Sequence, residues 1–118
     1  MEVQETIIAF SQSEKIKSGL IWVSQALQVL NSLQEPEKRG AETTAKAIIG
    51  MLVHEIQLGK NVTGDLTWDE VLRHIDKAMV MLNSGVASEA VVHLTQALSQ
   101  VTSIGHRTMT FLNEKGLL

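Results

Sequence analysis

The chain of 118 residues contains no cysteine. Disulfides, thiolate zinc sites, iron–sulfur clusters and c-type haem attachment are therefore excluded. Tyrosine is absent as well, and two tryptophans and two phenylalanines are the whole aromatic complement. A core must be built from Leu, Ile, Val, Ala and Met, which suits helix packed on helix. Charge is scarce too: 19% of residues carry it, against 44% that are hydrophobic. That balance leaves less polar surface than a small monomer usually shows.

No stretch of 18 apolar residues occurs, so no membrane span is expected. The amino terminus, Met-Glu-Val-Gln-Glu, lacks the basic start and apolar core of a signal peptide, and a cytoplasmic protein is the expectation. A net charge of -3, with the ten basic residues scattered along the chain, argues against nucleic acid or an anionic membrane surface as partner.

What is present is helical periodicity. Ala87, Val91, Leu94, Leu98, Val101, Gly105, Thr108 and Leu112 recur in steps of four and three, and Ala90, Ala97, Ile104 and Phe111 widen that seam on one flank. A helix of about 28 residues is roughly 42 Å long and needs partners of similar length. Upstream, Ile16, Leu20, Val23, Leu27 and Leu30 give the same rhythm, with Val3, Ile7 and Phe10 out of phase before them. One long first helix whose buried face rolls, or a separate short arm before Ser11, would each account for that shift. Pro36 between glutamates opens a second helix carrying Ala41, Ala45, Ile48, Ile49, Leu52 and Ile56 inward, with Gly59 as its cap. Thr67 and Glu70 have capping-box spacing, and Leu66 and Val71 that of a hydrophobic staple. Trp68, Leu72, Ile75, Met79 and Leu82 then line the third helix, and Asn83-Ser84-Gly85 turns the chain back into the fourth. The fold predicted for this single domain is all-α, an up-and-down antiparallel four-helix bundle with helices near 3–34, 36–58, 68–83 and 86–114.

Chemistry is harder to find. Glu70/His74 and Glu89/His93 place a carboxylate one turn before an imidazole, but at a spacing of four, whereas di-iron bundles use Glu-x-x-His. Phasing puts these side chains on outer faces. His54-Glu55 opens like a zinc-protease motif, yet position 58 is leucine. Glu55, at the margin of the buried stripe, is the carboxylate whose pKa burial would be expected to raise. No motif sets a base beside a serine or threonine, and the methionines serve as core filler. A non-enzymatic protein without metal or cofactor is expected. The alternative is a metal- or small-ligand-binding bundle that uses His and Glu side chains.

The more telling feature is where charge is missing. Ser18 to Gln34 carries none, and between Val86 and Asn113 only Glu89 and Arg107 do. Exposed helix faces normally carry Glu and Lys. Charge depletion around an aromatic anchor is the composition of an interface core. Ile21, Trp22, Val29 and Val92 are the candidate interface residues, on an outer face shared by the first and fourth helices. The expected role is a protein–protein interaction module (adaptor, chaperone or assembly subunit). Its expected assembly is a homodimer, with an unidentified protein as a further candidate partner.

Overall fold

The apolar periodicity folds as it reads. In the computed structural model, which describes residues 2–118, the helices are α1 (Val3–Val29), α2 (Glu37–Thr63), α3 (Thr67–Asn83) and α4 (Ala87–Glu114). One 3₁₀ turn, Leu30–Ser32, prolongs α1. α1 packs on α2 and α4, and α3 packs on the same two, the neighbour pattern of an up-and-down bundle. Links of a few residues leave consecutive helices no choice but to run antiparallel. The bundle measures 52 × 22 × 18 Å.

The core is aliphatic apart from Trp68. Ile16, Leu20, Val23 and Leu27 of α1 meet Ile49, Leu52 and Ile56 of α2, Val71, Ile75 and Leu82 of α3, and Leu94, Val101 and Ile104 of α4. α4 touches both α1 and α3, so its buried sector lies between the two apolar columns. Ala90 and Ala97 are fully buried, whereas Ala87, Val91 and Leu98 pack at the core's edge. α3 is turned in the same way, with Val71 and Ala78 buried and Leu72 and Met79 at the edge.

α1 is one unbroken helix, and its face does not roll. Thr6, Ala9 and Ser13 are buried in phase with Ile16, leaving Val3, Ile7 and Ile8 exposed. Burying hydroxyls is tolerable because each has a carbonyl of its own helix to donate to: Thr6 to Glu2, Ser13 to Phe10, and Thr108 of α4 to Ile104. The helix starts at a Glu2 carboxylate that accepts from the Gln4 and Glu5 N–H groups. No helix boundary therefore falls at Ser11.

Two expected helix ends lie elsewhere. α2 continues past Gly59 to a cap at Gly64, whose φ of 66° is the left-handed conformation that favours glycine. Gly59 has another task. A Cβ there would lie 3.0 Å from two atoms of the Trp68 ring, so the missing side chain is what lets the indole approach α2 this closely. At the start of α3, the capping box of Thr67 and Glu70 does not form. Leu66 is 74% exposed and closes no staple, and Glu70 pairs with Arg73 instead. Asp65 accepts from the Thr67 N–H at 2.8 Å and does the capping two residues earlier. Ser84, in the turn before α4, bonds back to α3. Its hydroxyl donates back to Val80 O, while the Val86 N–H reaches Met81 O around Gly85.

Gly50 presents the opposite case to Gly59. It is exposed in the middle of α2, and a Cβ added there meets nothing within 4 Å. Gly50→Ala should therefore stabilise the fold by about 0.5–1 kcal/mol, the helix-propensity difference. A higher urea midpoint with an unchanged slope is the expected result.

Candidate interaction surface

The sides of α1 are fixed by what its residues touch. Gln12 donates to the Glu55 carboxylate at 2.8 Å and to its carbonyl at 3.0 Å, and Lys15 pairs with the same carboxylate at 3.1 Å. A Cβ on Gly19 would strike Leu52. Gln12, Lys15 and Gly19 therefore mark the α2 side. Ser13, Glu14 and Lys17 line a crevice with Val101, Gly105 and Met109, which marks the α4 side.

The four predicted interface residues divide between these sides. Trp22 and Val29 follow Lys15 by one and two heptads and stand on the edge toward α2. Ile21 follows Glu14 by one heptad and stands toward α4. Val92, two heptads before the crevice residue His106, faces outward on that same side. All four are exposed, Trp22 at 70%. The anchor and the fourth helix thus lie on different edges of α1.

What lies beside Trp22 comes from α2. Ile48 and Val62 stand one heptad either side of Glu55, and Met51 and Leu58 one turn from it, on the edge facing α1. All four are exposed, Met51 at 66%. Because Gly19 lies against Leu52 and the helices are antiparallel, Trp22 comes level with Ile48 and Met51. Ile8, one heptad before Lys15, comes level with Val62 by the same arithmetic. An apolar strip therefore runs along the α1–α2 edge, interrupted by the Lys15–Glu55 pair. Sequence reasoning sent Ile48 inward and missed the strip. The signal was the uncharged run from Ala47 to Val53, more apolar than one buried stripe requires.

Glu55 itself departs from expectation. Its carboxyl is held below the usual value by the Gln12 hydrogen bond first and the Lys15 bond second, with slight desolvation opposing them. It is a satisfied surface carboxylate that ties α1 to α2.

A second polar tie joins the α2–α3 turn to α4. Thr63 Oγ1 accepts from Trp68 Nε1 at 3.1 Å and from the Asp65 N–H at 3.2 Å. Arg107 reaches across from α4 to Asp65 Oδ2 at 3.0 Å and to Thr67 Oγ1 at 3.1 Å. Desolvation pushes the Asp65 carboxyl up, but the Thr67 hydrogen bonds and the Arg107 charge together outweigh it and hold Asp65 below the usual carboxylate value. A depressed folded-state value means that stability is present above the unfolded value, near pH 4, and is lost as the pH falls through the folded one. Asp65→Ala should cost about 1–2 kcal/mol at neutral pH by removing the cap and the partner of Arg107. In Asp65→Asn the amide oxygen can still cap α3, so it should lose less at neutral pH and show a shallower acid slope below about pH 4. Urea unfolding across pH would show both effects.

The histidines do not converge. Among the described residues, no group of three or more His, Asp or Glu side chains stands together as a metal could require. His74 and His93 are half-buried at the α3–α4 seam rather than on fully outer faces. No helix among these residues is long and apolar enough to cross a membrane. Comparison with protein-family models, with curated proteins and with solved structures finds no match to this chain.

Proposed function

We propose that the protein is a non-catalytic protein–protein interaction module that associates with a second copy of itself. The observation that carries this reading is Trp22, a large ring 70% exposed beside Ile48 and Met51 on a helix whose second half has no charge. A solvated indole in that setting has apolar neighbours to extend the contact, and its own half of the helix brings no ionic group to desolvate. The first and second helices supply the main edge. Ile21 and Val92, on the α1–α4 side, belong to a smaller secondary patch.

Adaptor, chaperone and assembly roles all follow from such a surface, and an unidentified protein partner could use the same strip. The metal- or ligand-binding alternative gains nothing from the placement of the histidines. Sedimentation equilibrium of the wild type over a range of concentrations tests the proposal. A mass twice that of the 13.0 kDa chain is expected, and a monomer at every concentration overturns it.

A further inference from the structure

His74 presents a polar atom that the fold leaves without a partner. The residue lies on the stripe of α3 that meets α4. Thr67, one heptad earlier, accepts from Arg107 of α4, and Met81, one heptad later, lines a shallow groove with His93 of α4. The Nδ1 atom of His74 is shut off from solvent and has no hydrogen-bond partner among the described residues. With the ring neutral and its proton on Nε2, Nδ1 is a bare acceptor. Protonation turns it into a buried N–H donor with nothing to donate to, a costlier arrangement.

The charges around the ring act in the same direction. On α3, Arg73 precedes it directly and Lys77 follows within a turn, while Glu70 is engaged by Arg73. From α4, His93 adds a like charge when protonated, and Glu89, one turn before His93, is exposed to solvent. We propose that His74 is an acid-sensitive latch on the α3–α4 edge: neutral, it allows the two helices to close, and protonated, it loosens their packing. Burial first, then Arg73 and Lys77, hold the ring below the ordinary imidazole value of 6.5, with Glu70 pulling the other way. A lowered folded-state value gives stability that is complete above the unfolded value. That stability declines as the pH falls from there toward the folded value. The window lies in the mildly acidic range, above that of Asp65.

Three measurements on the full chain decide it. Urea unfolding at about pH 7.5 and about pH 5.5 should show a lower midpoint at the acid value, with His74→Gln losing a clear part of that difference. A pH dependence unchanged in His74→Gln overturns the latch, because the difference would then arise elsewhere in the fold. An NMR titration of the His74 ring in the wild type should give a midpoint below 6.5, and His93→Gln should raise it. A midpoint at or above 6.5 overturns the proposal whether or not His74→Gln folds. Amide exchange in the acid range should quicken along α3 and α4 before α1 and α2, and a uniform response would contradict a local latch.

Discussion

Trp68→Ala is expected to cost about 3–5 kcal/mol, the range for deleting a fully buried large aromatic side chain. Trp68 has no exposed surface and is the largest of the fully buried side chains. Its ring fills the space that Gly59 leaves on α2, so truncation opens a void on a helix face that has no side chain to collapse into it. The indole N–H also donates to Thr63 Oγ1, which in turn holds the turn containing Asp65. Trp68→Phe separates the two contributions. It keeps most of the ring and should lose about 1 kcal/mol for the hydrogen bond, plus a smaller packing cost. For a domain whose whole stability is about 5–15 kcal/mol, the alanine variant should be marginal or unfolded at room temperature. Urea or thermal unfolding followed by circular dichroism measures it. A loss under 1 kcal/mol would mean that the end of the bundle repacks around α3.

That keystone also marks how far the sequence could be read. Trp68, Ile75 and Leu82 stand at helical spacing, so their burial was legible from periodicity alone. The glycine that receives the indole was not. In isolation Gly59 looks like a helix terminator, because glycine is disfavoured inside helices and favoured at their ends. Its tertiary role, close approach by a ring from another helix, has no local signature. The capping error at Thr67 has a similar cause. Thr-x-x-Glu is a good local box, but Arg107, 40 residues downstream, takes the threonine hydroxyl and Arg73 takes the glutamate. At the amino terminus, Val3, Ile7 and Phe10 suggested a rolling face. The actual face follows the phase of Ile16 because α1 must stay in register with α4, where a Cβ on Gly105 would lie 3.1 Å from the Ser13 hydroxyl. Periodicity finds the helices and most of the core. Which edge of a helix remains open depends on where its neighbours sit, and the division of Trp22 from Val92 followed from contacts at Gln12, Lys15 and Gly19.

Trp22→Glu should convert the proposed dimer into a folded monomer. Being 70% exposed, Trp22 owes little to the intrachain core, and a glutamate at that position projects into solvent in the free chain. Its helix needs no aromatic there, and glutamate is the better helix former. In the associated state the same change sets a carboxylate against Ile48 and Met51 or their counterparts, at the cost of its desolvation. A two-fold contact counts each substitution twice. An aromatic hot spot contributes about 2 kcal/mol or more, so the pair amounts to at least about 4 kcal/mol, roughly a thousandfold in dimer dissociation constant. Val92→Glu supplies the contrast. If the α1–α2 edge is the contact, that variant stays dimeric, because Val92 faces away on α4. If instead Val92→Glu dissociates the dimer and Trp22→Glu does not, the contact lies on the α1–α4 side. Sedimentation equilibrium of the three proteins reads the masses, and unchanged helical circular dichroism certifies the fold. A Trp22→Glu chain that remains dimeric removes the indole from the interface, and one that loses its helical signal assigns it to the core.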